Sequence, residues 1–180
     1  MKTIAIILQL GIGVLVIFPW AAPAASVAWT NLNGGLWSAA TNWSPNTVPT
    51  PAPDVFITAA GNYTVTQDLH VAIASLTLGG ASGTPTLTNA VANLTLNGAS
   101  TVNATGVLGF GGGTLAVAGV LTVGGTVVWA GGTISGALTV ATNGVLNING
   151  SATKELSGTG NDRAFGRLPS HVTRSRRQAA

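Results

Sequence analysis

Leu76-Thr77-Leu78, Leu94-Thr95-Leu96, Leu121-Thr122-Val123 and Leu138-Thr139-Val140 are four copies of one phrase, and Leu115-Ala116-Val117 and Leu146-Asn147-Ile148 are degenerate copies of it. Side chains alternate across a strand, so each phrase turns two apolar residues to one side and a polar or small one to the other. Gly, Thr, Asn, Ala and Ser fill the intervals, with glycine runs at Gly79-Gly80, Gly111 to Gly113, Gly124-Gly125 and Gly131-Gly132. Glycines of this kind supply the backbone freedom that repeated corners demand. Leu76, Leu94, Leu115 and Leu138 follow one another at intervals of 18, 21 and 23 residues. Periods near 20 with strands this short indicate a solenoid, not a propeller of roughly 40-residue blades. The expected fold is therefore all-β, a parallel β-helix over residues 55–159. A Trp/Pro-rich segment over 29–54 precedes it and a disordered basic tail over 160–180 follows.

From Leu69 to Thr153 the chain has no Asp, Glu, Lys or Arg, and only 6% of all 180 residues are charged. Soluble domains carry about 25%. Disordered chains are also poor in apolar residues, whereas here 46% are hydrophobic, which is enough to build a core. The net charge of +3 invites a nucleic-acid reading, but five of the seven basic residues are Arg163, Arg167, Arg174, Arg176 and Arg177. A neutral body cannot neutralise a row of phosphates, so no nucleic-acid partner is expected. Cysteine is absent, which excludes disulfides and thiol catalysis. Asn89, Asn97, Asn103, Asn143 and Asn147 recur where stacked copies would form amide ladders.

Residues 1–28 have the features of a secretory signal. Lys2 is the positive start, Ile4 to Phe18 the apolar run, and Pro19 breaks the helix ahead of small residues. Ala22-Pro23-Ala24 and Ser26-Val27-Ala28 both fit a cleavage site, and cleavage is expected after Ala28 because Trp29 opens the polar, structured-looking segment. The apolar run, interrupted by Gln9, Gly11 and Gly13, falls short of the roughly 20 residues a membrane span needs. Export without a stable membrane span is the expectation. Beyond about Gly160 the character changes, with six charged residues and the run Arg174-Ser175-Arg176-Arg177. The expected cause is interruption of the repeat body by truncation or a shifted reading frame.

Trp37 and Trp43 frame the phrase Gly35 to Trp43, and Pro45, Pro49, Pro51 and Pro53 follow it. Proline cannot donate to a sheet ladder, so turn and extended chain are expected there rather than a central strand. Two roles fit Trp37 and Trp43: aromatic contacts for a glycan, or a plug over the open end of the stack. Repeat proteins require capping, which favours the plug.

Asp68 and His70 are a neighbouring ionisable pair at positions that share a strand face, with no second carboxylate near them in sequence. Polar residues at a corner are expected rather than an acid/base pair. Gly109 to Thr114 is glycine-rich but lacks the Lys-Ser/Thr of a phosphate loop. No G-x-S-x-G elbow occurs, and the body lacks the Asp residues of calcium-binding β-rolls. No cofactor, no metal and no enzymatic activity are expected.

Gly35-Leu36-Trp37-Ser38-Ala39-Ala40-Thr41-Asn42-Trp43, then Val48-Pro49 and Asp54-Val55 ahead of Leu-Thr-Leu rungs, resembles the start of bacterial exported β-solenoid surface proteins. These are the autotransporter-associated β-strand repeat and adhesin-like families. Gly125 to Gly136 followed by Leu138-Thr139-Val140 is similar to their recurrent rung phrase. The resemblance spans about Trp29 to Thr159. It implies a right-handed parallel β-helix used as a surface scaffold or adhesin. Such proteins are usually far longer, and neither a translocator barrel nor a sorting signal is recognisable here. A non-enzymatic exported scaffold is thus expected, secreted or at the cell surface. Its expected partners are a glycan or another cell-surface partner, with edge-to-edge self-association. The alternative is a remnant of a carbohydrate-active β-helix enzyme or binding module. Rows of Thr also raise ice binding, against which the uneven spacing counts.

Overall fold

The computed structural model describes residues 25–157. The tail expected over 160–180 and most of the leader lie outside them. The described residues form a β-solenoid of about five turns built from two sheets that are parallel apart from one short antiparallel pairing near the start, with one short 3-10 turn at Ala40–Asn42 and no α-helix. No helix among them is long and apolar enough to cross a membrane.

The first strands are β1 (Ser26–Trp29), β2 (Gly35–Leu36) and β3 (Trp43–Ser44). Then come β4 (Asp54–Ile57), β5 (Gly61–Gln67) and β6 (Val71–Ile73), and β7 (Ser75–Leu78), β8 (Gly83–Asn89) and β9 (Leu94–Leu96). The chain continues through β10 (Ser100–Val102), β11 (Val107–Phe110), β12 (Thr114–Val123) and β13 (Thr126–Trp129). It closes with β14 (Gly132–Val140), β15 (Val145–Ile148) and β16 (Lys154–Ser157).

From β4 onward each turn visits three faces. Face one stacks β1, β4, β7, β10 and the second halves of β12 and β14, all parallel. Face two stacks β2, β5, β8, β11, β13 and β15. Face three stacks β6, β9, the first halves of β12 and β14, and β16. In the last turns the corner between faces three and one disappears. β12 passes it with an irregularity between Val117 and Val120, and β14 runs straight through.

This arrangement explains the uneven intervals. Leu76 lies on face one and Leu94 on face three, so their separation measures no turn of the helix. True register on face two runs Val65, Leu87, Leu108, Val127, Leu146, giving turns of 22, 21, 19 and 19 residues.

Inside, the alternating apolar residues form one continuous core. Val55, Ile57, Leu76, Leu78, Leu121 and Val123 enter from face one, Val65, Leu87, Leu108 and Val127 from face two, and Ile73, Leu94, Leu96 and Leu115 from face three. All of these are fully buried. Burial contributes about 1.5–3 kcal/mol for each side chain of this size. On face one Ser100 breaks the pattern, buried opposite Leu121. Its hydroxyl accepts the Leu76 N–H at 3.0 Å and donates to Gly98 O at 3.3 Å, so its polarity is satisfied.

Corners depend on backbone proximity. Gly113 (φ 70°) and Gly132 (φ 84°) stack at one corner, where a Cβ on Gly132 would lie 2.6 Å from Gly113 O and 2.8 Å from Gly112 Cα. Only glycine fits such a contact in that left-handed conformation.

The expected asparagine ladder is present only in part. Asn89 is buried, but its partner one turn below is Gln67: Asn89 Nδ2 donates to Gln67 Oε1 (3.1 Å) and to Ala92 O (2.6 Å). Asn89 Oδ1 accepts the Ala92 N–H, and Gln67 Nε2 donates to Leu69 O and Asn93 O. The same inward column continues as Phe110 and Trp129, so the amide ladder ends after two rungs. Asn97, Asn143 and Asn147 are exposed, and Asn103 braces a turn by donating to Gly79 O. Replacing Asn89 by Ala leaves the Gln67 carbonyl and both Ala92 backbone groups without partners, and should cost about 2 kcal/mol in urea unfolding. Asn97→Ala, on the surface, should change the midpoint little.

Candidate functional site

Two regions bear on function: the N-terminal end of the stack and the outward surfaces of its three faces. The first is built on the Gly35 to Trp43 phrase. Trp29, Trp37 and Trp43 are 2%, 0% and 1% exposed. Trp43 meets Trp29 and Trp37 edge-on, with ring centroids 4.9 and 4.7 Å apart. Edge-to-face pairs of this kind are favourable beyond the area they bury. Trp43 Nε1 donates to Trp37 O (2.8 Å) and Trp29 Nε1 to Asn31 O (2.6 Å). Trp37 Nε1 is buried with no partner among the described residues. In this position neither Trp37 nor Trp43 offers a stacking face to a sugar, and the cluster fills the end of the core.

An amide network holds the cluster in place. Asn42, nearly buried, donates to Leu36 O and accepts from Asn31, which also donates to Gly34 O. Trp37 N–H donates to Thr66 O (2.8 Å), tying the segment to β5. Nothing in the sequence pattern marks Asn31, Ser38 and Asn42 as the residues that hold the cluster. The Asn-x-x-Gly spacing of Asn31 and Gly34 was a local turn signal, but the partners eleven and thirty residues away had none.

Asp68 and His70 are not brought into a common site. Asp68 accepts from the Ser38 N–H (3.0 Å) and the Ser38 hydroxyl (2.5 Å). His70 Nδ1 instead accepts the Asn93 N–H one turn on (2.8 Å), and Asn93 Oδ1 accepts the Thr114 N–H one turn further (2.9 Å). Both are exposed corner residues that brace successive turns. For Asp68, partial desolvation pushes its pKa up, but the hydrogen bonds from Ser38 and from its own backbone outweigh this and hold it below the usual 3.8. A carboxyl lowered on folding stabilises the fold above its unfolded pKa, and that stabilisation fades as pH falls through the folded value. Wild type should therefore lose a small part of its stability below about pH 4. Asp68→Asn should remove that increment, measured as the difference in urea midpoint between pH 6 and pH 3. Among the described residues no three His, Asp or Glu side chains converge.

The outward surfaces are uncharged over most of their length. On face one Thr77, Thr101, Thr122 and Thr139 stand in one file over four turns. On face two Asn62, Thr64 and Thr66 lie beside Thr84, Thr86 and Thr88, a polar patch of two rungs. β11 then interrupts it with Val107 and Gly109. The files present hydroxyls about 4.8 Å apart across the strands. They are organised by register that the linear spacing concealed. Comparison with protein-family models, with curated proteins and with solved structures returned no match.

Proposed function

We propose that the chain is an exported, non-enzymatic surface scaffold with an adhesin-like role, secreted or held at the cell surface. It would contact a glycan or another cell-surface polymer through its hydroxyl-bearing faces. The observation that carries this reading is the registered Thr file of face one, together with the two-rung Asn/Thr patch of face two, on a stack that carries few charges. Each hydroxyl contributes little by itself. A repeating ligand meets many at once, and multivalency raises avidity without any single strong contact. Because charge is sparse on these faces, binding should be nearly insensitive to ionic strength between 50 and 500 mM salt, unlike binding to a basic patch.

A glycan array and a cell-adhesion assay with the processed chain test the proposal. The result expected is binding that persists in salt and falls at least tenfold when Thr64, Thr86 and Thr88 are together replaced by Val. Binding that survives this replacement would move the contact elsewhere, and no binding to any glycan or cell would leave a scaffold role alone.

Self-association belongs to the same reading. Among the described residues, β15 and β16 are the last strands of their faces, and Leu138, Leu146, Ile148 and Leu156 are only partly buried. Such an edge is a template for pairing, although Lys154 and Glu155 on β16 oppose indiscriminate stacking. A concentration-dependent monomer–dimer equilibrium in size-exclusion chromatography is expected, and a sharp monomer at all concentrations would contradict it.

A further inference from the structure

The strand β1 straddles the boundary at which the leader was expected to end. We infer that the mature chain begins at Ala25, by cleavage after Ala24 and not after Ala28; the inference rests on the export reading. β1 is an interior strand, between β3 on one side and β4 on the other. It pairs in parallel with β4 through Ser26 with Asp54, Val27 with Val55 and Ala28 with Phe56, and antiparallel with β3 through Ala28 with Ser44 and Trp29 with Trp43. Upstream of the strand itself, Ala25 O accepts the Asp54 N–H at 2.9 Å. Val27 is 5% exposed and belongs to the continuous core.

A cut after Ala28 would delete three of the four residues of β1, strip β4 of one of its two neighbours and leave β3 almost unpaired. It would also place a new ammonium group on Trp29, which is 2% exposed. An unpaired charge at a buried position is strongly disfavoured. A cut after Ala24 keeps every one of these contacts and puts the new ammonium on Ala25, which is exposed. Ala22-Pro23-Ala24 carries small residues at both positions that such a site requires and follows the end of the apolar run by six residues. The product must be able to fold: a chain that retains Ser26 onward can form the whole of β1, and one that begins at Ala25 also keeps the Ala25 O to Asp54 N–H bond. The reaction is hydrolysis of the Ala24–Ala25 peptide bond by the host's signal peptidase. Water supplies a hydroxyl to the Ala24 carbonyl carbon and a proton to the Ala25 nitrogen.

The test is expression of the full chain from Met1 in an export-competent bacterium, followed by intact-mass and N-terminal sequence analysis of the exported protein. The expected N-terminus is Ala25. Ala24→Asp should block this cleavage, whereas Ala28→Asp should leave the N-terminus at residue 25; neither readout depends on whether the variant folds. Exported protein beginning at Trp29, or at any residue other than Ala25, overturns the inference while export stands. Exported protein that still begins at Met1 overturns the cleavable-leader reading beneath it.

Discussion

Truncating Trp43 to alanine is expected to lower the unfolding free energy by about 3–5 kcal/mol, the range for removing a buried tryptophan from a packed site. Trp43 stands at the centre of the N-terminal plug, edge-on to both Trp29 and Trp37, and its indole N–H is spent on Trp37 O. Removing it opens a cavity and frees a buried carbonyl in one step. A solenoid is stabilised turn against turn, so damage to its end spreads inward by fraying instead of staying local. The milder variants separate packing from hydrogen bonding. Trp43→Phe loses the bond to Trp37 O, whereas Trp37→Phe removes an N–H that has no partner among the described residues. Trp43→Phe should therefore be the more destabilising by about 1 kcal/mol. Equal losses in urea unfolding would contradict the assignment of that bond.

Leu108→Ala should cost about 2–5 kcal/mol, because Leu108 is fully buried in mid-stack with Leu87 and Val127 on either side in register. The same change at Leu146, on the last described strand of face two and only partly buried, should cost about 1 kcal/mol. The contrast in chemical-denaturation midpoints measures the difference between the middle of the stack and its C-terminal end. Comparable losses at both sites would mean that the described end of the core is covered as well as its centre.

The strands were legible in the sequence because burial alternation is the same on every face. Leu-Thr-Leu at residues 76–78 and 94–96 each put two side chains inward and one outward, and both do so here. That uniformity hid which of three faces a phrase occupies, so Leu76 and Leu94 were grouped although they lie on different faces. Their 18-residue interval was misleading for the same reason. The amide ladder was expected from Asn alone, yet Gln67 is Asn89's partner, since a longer amide reaches the same column. Tryptophan content fitted either a sugar platform or a plug. What decides burial is a set of long-range ties, Trp37 to Thr66 and Ser38 to Asp68, which local pattern does not encode. The leader's boundary was drawn from a change of texture at Trp29, while β1 begins three residues earlier because Val27 packs into the core.

Cysteine pairing tests the three-faced, registered stack most directly, and the chain has no native cysteine to interfere. Thr101 and Thr122 face outward on neighbouring turns of face one, directly in register. Strands at about 4.8 Å spacing bring their Cα atoms within the 4.4–6.8 Å range that disulfides require. Thr101→Cys combined with Thr122→Cys should form an intramolecular disulfide under mild oxidation, detected as a loss of two mass units without dimerisation. Thr101→Cys combined with Thr126→Cys places the thiols on different faces and should leave both free. Equal disulfide formation in the two double variants, or none in the first, would contradict the register on which the whole account stands.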